Sequence, residues 1–249
     1  MIRRCACLLL ALLLPAIAAA GESARGDLAE RFDDVPQVEY GGETYYLRSR
    51  LTTIMAAGIL PDAQDGAPRA EFVAVFVIDD NEKRITPIRI DGQTLVEFAG
   101  ETLPLRDVFA PDGEPEERCQ RLLAAVDGLL GGGLLADYAV VDLDGITAID
   151  AFGHLAGDAR ERMRQLRLTL EAMPAGRAYG LYGEIGDCLI TNMKSGAVMR
   201  ALDKAERYEI AETAVLPVLP VRTGDDAPEP DAEGIQKLVI DVFYAEELF

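Results

Sequence analysis

The sequence predicts an α/β protein built around a central mixed β-sheet. Three observations carry this. "EFVAVFVID" (71–79) is a run of Val and Phe, followed by the polar turn "DNEK" (80–83) and the returning run "RITPIRI" (84–90). That order predicts an antiparallel hairpin too apolar for an exposed edge, so it belongs in the middle of the sheet. "EERCQRLLAAVDGLL" (116–130) places Cys119, Leu122, Leu123, Val126, Leu129 and Leu130 at helical spacing on one face. Strands and helices also alternate along the chain instead of segregating, which favours helices packed on a sheet.

The elements follow in order. "MIRRCACLLLALLLPAIAAAGES" opens with Arg3 and Arg4, continues through an apolar stretch holding Pro15, and ends in small residues. This is the layout of a secretory signal peptide over residues 1–20, with cleavage near Ala20; an uncleaved anchor is the alternative. Residues 21–47 read as a polar lead-in linker and 48–249 as the folded domain. "LTTIMAAGIL" (51–60) is a buried strand, and 61–70 is a loop before the hairpin. Residues 100–115 look irregular, and Gly131–Gly133 stop the first helix. "ADYAVVDLD" (136–144) is a strand, and "GITAIDAFG" (145–153) a short helix with Asp144 as a plausible N-cap. "DARERMRQLRLTLEAM" (158–173) is a basic amphipathic helix ended by Pro174. "LITNM" (189–193) leads into a helix over about 194–207. The chain is then extended over 208–218, passes an acidic loop at 221–230, and closes with a helix over 231–249.

The chain has 249 residues, is 49% hydrophobic, and carries a net charge of −19. Such acidity repels nucleic acid and anionic head groups, so no nucleic-acid partner is expected. A membrane surface enters only through the N-terminus. Beyond the signal, the cysteines are Cys119 and Cys188. Export permits a disulfide, but two buried thiols are the simpler expectation, and neither cysteine sits in a Cys-x-x-Cys motif. His154 is the sole histidine and no Gly-x-Ser-x-Gly accompanies it, so a serine hydrolase is not indicated. "VVDLDG" puts Asp142 and Asp144 on one side of a strand end, where helix capping competes with metal binding. "RERMRQLR" (160–167) places Arg160, Arg164 and Arg167 on one helix face. Clustered guanidinium forks suit phosphate or pyrophosphate; a salt-bridged surface helix is the plainer reading.

Taken together, "TTIMAAG", "RAEFVAVFVIDDNEKRITPIRIDGQT", "ADYAVVDLDGITAIDAFGHL", "ARERMRQLRLTLEAM" and "ITNMKSGAVMRALDKAERYEI" resemble, in that order, the LytR-CpsA-Psr family from about residue 51 onward. The resemblance implies an extracytoplasmic, three-layer α-β-α protein that transfers a glycopolymer from a polyprenyl-pyrophosphate carrier to peptidoglycan. Arginines would grip the pyrophosphate, and carboxylates with magnesium would assist. Carried over by position, Arg69 and Glu71 match the family's first Arg and Asp, and Arg164 matches an arginine of its basic helix, with Arg162 beside it. At the second motif Gly92 and Gln93 stand where Arg and Asp are expected. A shifted alignment would offer Arg89 and Asp91, but a one-residue slip in a strand needs a bulge. An arginine-bearing strand before the basic helix is missing. The expected site is therefore Glu71 and Asp91 as catalytic and magnesium-binding carboxylates, with Arg69, Arg89, Arg162 and Arg164 binding the ligand. Three roles stay open: an envelope protein that binds lipid-linked glycan or another envelope polymer with catalysis reduced or lost, an active phosphotransferase, or a secreted module keeping only the fold.

Overall fold

The structure, a computed structural model, describes residues 36–61, 66–109, 112–157, 159–171, 186–219 and 227–246. The expected signal, Pro174, most of the acidic loop, and the side chains of Arg160 and Arg167 lie outside the described residues. Strands β3 (Leu51–Pro61), β4 (Pro68–Asp79) and β5 (Arg84–Ile90) form the antiparallel centre of a seven-stranded sheet. Strands β8 (Asp137–Asp142) and β9 (Leu189–Thr191) extend it on one side, β8 parallel to β3 and β9 antiparallel to β8. On the other side β10 (Glu209–Ile210) and β11 (Ala214–Val215) pair successively with β5 in parallel. The sheet is mixed, as the sequence predicts.

Both of its faces are covered, which is why the hairpin carries almost no polar alternation. Along β4, Val73, Val75 and Val77 point into one core, while Ala74, Phe76 and Ile78 point into the other. Each fully buried side chain of this size contributes roughly 1.5–3 kcal/mol relative to exposure. The first core is closed by helix α1 (Pro115–Leu129) through Cys119, Leu122 and Val126, and by α4 (Ala232–Phe243) through Ile235 and Phe243. The second is closed by α2 (Ala159–Glu171) through Leu166 and by α3 (Ser195–Arg207) through Ala201 and Ala205. Both cysteines are free thiols, and burial pushes that of Cys119 up to about 12. Among the described residues, no helix is long and apolar enough to cross a membrane.

Several elements differ from expectation. Part of the expected linker is structured: β1 (Gln37–Tyr40) and β2 (Glu43–Leu47) form a small sheet with β12 (Tyr244–Ala245). Residues 36–47 are therefore part of the described fold, and the closing helix gives way to a strand at Tyr244. The region read as irregular (100–115) holds β7 (Glu101–Pro104), which pairs as a hairpin with β6 (Leu95–Phe98) just before it, and then a 3-10 turn over Leu105–Val108. The expected helix at 145–153 is two 3-10 turns. Asp142, not Asp144, caps that entry: its Oδ1 accepts from the Asp144 and Gly145 amides at 2.9 and 3.0 Å.

Candidate functional site: the open end of the central sheet

The pairing between β3 and β4 slips by one residue near the open end. Gly58 pairs with Phe72 and Ile59 with Ala70, so Glu71 is the extra residue of a β-bulge. A bulge bends the strand and re-aims the side chain at that point. Glu71 reaches the 3-10 turn after β7, where Arg106 Nη1 donates to Glu71 Oε1 at 3.2 Å. Arg69 pairs with the next residue of that turn, its Nε 2.9 Å from Asp107 Oδ1, and Arg106 Nε lies 3.8 Å from the same oxygen. The result is a four-membered charge cluster of two arginines and two carboxylates, each between 20% and 31% exposed. Buried Leu105 and Val108 anchor the turn from below.

The loop after β5 lies against this cluster. Asp91 Oδ1 accepts from the Gln93 amide at 2.9 Å, and the Thr94 amide donates to Asp91 O at 2.9 Å, which closes a tight turn. The Arg106 amide donates to Gly92 O at 2.8 Å. A Cβ on Gly92 would stand 2.9 Å from Ala70 O and 3.3 Å from Arg106 Cβ, so the position has no room for a side chain. Gln93, with its amide turned so that both groups are satisfied, accepts through its oxygen from Arg106 Nη1 at 3.0 Å and Nε at 3.3 Å.

The remaining expected residues are distributed unevenly. Ile59 pairs with Ala70 on one side and Asp142 on the other, so the end of β8 lies at the same end of the sheet, two strand spacings (about 10 Å) from the start of β4. There Arg162 forms an ion pair with Asp144, and its Nε donates to Gly157 O at 2.9 Å. Arg89 is exposed on β5, on the opposite side of the strand from buried Ile88 and Ile90. Arg164 is more than half exposed and makes a two-bond pair with Glu161, at 2.8 and 2.6 Å. That pairing lowers the Glu161 carboxyl to about 2 and raises the Arg164 guanidinium. For Arg164 the geometry matches the salt-bridged surface helix.

The residues that sequence reasoning missed are Arg106 and Asp107. A local signal was present: "LRDV" sets two charged residues between apolar ones three apart, the spacing of one helical turn anchored at both ends. Nothing local, however, reports that the β6–β7 hairpin returns this turn to β4.

Magnesium fits this donor set poorly. Glu71 has a guanidinium against one oxygen, Asp91 already caps a backbone amide, and no group of three or more acids, histidines or cysteines among the described residues could hold a metal ion. Beneath β6, which continues directly from the Asp91–Thr94 turn, lies a cavity of about 910 Å³. Leu95, Val96, Leu129, Ile235, Val239 and Tyr244 contribute apolar walls to it, and Glu97 and Glu229 are among its polar lining.

No family profile and no curated protein matches the chain. Solved structures do. TagV of B. subtilis superposes with a TM-score of 0.55 at 14% identity, over 79% of this chain and 97% of its own. TagU of B. subtilis gives 0.52 at 9% identity, over 77% and 94%. A structure of TagT bound to LIIa-WTA gives 0.53 at 10% identity, over 77% and 89%. TagV, TagU and TagT are LytR-CpsA-Psr proteins, so the fold of this chain is LytR-CpsA-Psr-like. At such identities the likeness is one of fold.

Proposed function

We propose that the chain is an exported, cell-envelope LytR-CpsA-Psr-like protein that binds a polyprenyl-pyrophosphate-linked glycan or a related phosphate-bearing envelope polymer, with transfer activity reduced or lost. Residues 1–20 serve as signal or anchor. Arg69 and Arg106 supply the guanidinium groups nearest the bulged strand, and Arg162 stands at the same sheet end. The apolar cavity beneath β6 offers room for part of a hydrocarbon chain, since ligand sites typically span about 300–1,000 Å³.

The observation that carries the reduced-activity reading is the packing of Gly92. With Ala70 O 2.9 Å from its would-be Cβ, no charged side chain can stand there. Gln93 supplies an amide where the family resemblance expects a carboxylate, and Glu71 is engaged by Arg106. Loss of one preorganised group that stabilises transition-state charge costs about 10²–10³ in rate. Losses within one acting unit do not multiply, but they leave little turnover.

The test is a transfer assay on the purified mature protein, with a polyprenyl-pyrophosphate glycan donor, magnesium and a peptidoglycan acceptor, run beside a donor-binding measurement. Binding without turnover is the expected result. Turnover that disappears in Asp91→Ala would overturn the reduced-activity reading in favour of an active phosphotransferase. Absence of both binding and turnover would leave an interaction module.

A further inference from the structure

The cluster at the open end contains a guanidinium that the sequence motifs do not mark. Arg106 lies over Gly92, with its Cβ 3.3 Å from the point a Gly92 Cβ would occupy. Its donors face three oxygen-bearing groups at once: Glu71 Oε1 at 3.2 Å, Gln93 Oε1 at 3.0 and 3.3 Å, and Asp107 Oδ1 at 3.8 Å. The side chain keeps 24% of its surface exposed, so solvent reaches it. We propose that Arg106, seated over Gly92, is the guanidinium through which this site takes a pyrophosphate-class anion, with Glu71 as the internal carboxylate that the ligand displaces.

The argument starts from the backbone. Arg106 is held by two main-chain bonds: Leu105 N donates to Thr94 O at 2.8 Å, and Arg106 N donates to Gly92 O at 2.8 Å. Leu105 and Val108 are buried on either side. The base of the side chain is thus fixed while its end remains accessible, which is the arrangement of a preorganised binding group. A planar guanidinium takes phosphate oxygens in the same paired geometry in which it takes a carboxylate. Glu71 takes one such position here, through the single Arg106 Nη1–Glu71 Oε1 bond at 3.2 Å. It sits on the bulge, and its carboxylate accepts from Arg106 alone among the bonds described. A partly exposed ion pair is worth little in water, about 0–1 kcal/mol, so a multiply charged anion can compete for the guanidinium. Arg69 and Asp107 repeat the arrangement one residue along, at 2.9 Å. The two arginines and two carboxylates cancel, so the unliganded site carries no positive excess, and removal of one carboxylate creates it.

This inference rests on the anion-binding reading of the same site, and the experiment separates the two. Inorganic pyrophosphate is titrated calorimetrically into the full mature chain without magnesium, at low and at physiological salt, for wild type, Glu71→Gln, Arg106→Ala, Arg106→Lys and Glu71→Gln/Arg106→Ala. Thermal melts establish that each variant is folded. Glu71→Gln is expected to tighten binding several-fold, and Arg106→Ala to weaken it about tenfold or more. Arg106→Lys should recover part of the loss, and the double variant should behave like Arg106→Ala, because the gain passes through Arg106. Weaker binding in Glu71→Gln, or wild-type binding in Arg106→Ala, overturns the inference while leaving the anion site standing. If neither wild type nor Glu71→Gln binds pyrophosphate at low salt, both the inference and the anion-binding reading fall. If Arg106→Ala does not fold, Arg106→Lys and Glu71→Gln decide.

Discussion

At the turn end of the central sheet, where β4 passes into β5, Asp79 is buried and both of its oxygens are engaged. Oδ1 accepts from the Asn81 and Glu82 amides at 2.8 and 3.0 Å, and Oδ2 meets Arg48 Nη1 at 3.3 Å. Arg48 also donates to Tyr244 O at 2.8 Å, tying β2 and β12 to the turn. Beside it Asp80 holds Lys204 Nζ at 2.8 Å and accepts from Tyr208 Oη at 3.1 Å, which docks the end of α3. At the open end, Glu71 and Asp107 are similar carboxylates facing similar cations, but the contacts described for these two run to guanidinium groups, not to backbone amides. A carboxylate that caps backbone has no substitute once the chain is folded. One that meets only a guanidinium can be exchanged for another oxyanion. The same residue types therefore secure the fold at one end and leave an exchangeable site at the other.

The largest effect expected from this contrast is on stability. Asp79→Ala removes two backbone caps and leaves Arg48 without its buried partner, at a cost of about 2–4 kcal/mol. Glu71→Ala should cost less than about 1 kcal/mol, since the pair is partly exposed and Arg106 retains Gln93 and Asp107. Urea denaturation of the two variants measures both. Equal losses would mean that the open end is as structural as the turn.

A smaller effect sharpens the comparison within the open end itself. Gly92→Ala pushes a methyl group to 2.9 Å from Ala70 O, a backbone atom that cannot swing aside. The expected cost is about 1–3 kcal/mol, read as a lowered urea midpoint. By the same geometry, the change to arginine that the family motif suggests would damage the site rather than repair it. A Gly92→Ala protein of unchanged stability would show that the loop can retreat from β4.

The sequence carried the turn end well and the open end poorly, for physical reasons visible in particular residues. Strand β4 was legible because both faces are buried, so its run of Val, Phe and Ile needs no partner to be read. Helix α1 was legible because its apolar spacing is local and it ends in Gly131–Gly133, all with positive φ. Strands β1 and β2 were missed because they are at most half buried, and because β2 has its other partner in Tyr244 and Ala245, about 200 residues further along. The β6–β7 hairpin was missed because its turn is Ala99–Gly100, both at positive φ (54° and 86°), where an Asn-Gly pair would have signalled the same turn. That missed hairpin accounts for the missed site: it carries Arg106 and Asp107 back to Arg69 and Glu71. The bulge at Glu71 leaves no mark in the sequence either, since it lies in the pairing of two strands and not in one of them.

The outer face of α2 marks the lower end of the scale, and here the expected change is in a titration alone. The Glu161 carboxyl is held at about 2, first by the hydrogen bond from Arg164 and then by that from Gln165. Its unfolded value is an ordinary one of about 4.3. A carboxyl whose folded value is depressed contributes stability that is present above the unfolded value and lost as the pH falls through the folded one. Any contribution from this pair is therefore in place above about pH 4 and disappears towards pH 2. Both side chains are exposed, so water and salt screen the pair. Arg164→Gln should move the Glu161 titration, followed by NMR, up towards its ordinary value, while the melting temperature at pH 7 and pyrophosphate binding stay as in wild type. Arg164 has its partner on its own helix, whereas Arg106 has its partner on the bulged strand and an amide from the β5 loop beside it. A loss of pyrophosphate binding in Arg164→Gln would move the ligand site from the β4 bulge to the arginine helix.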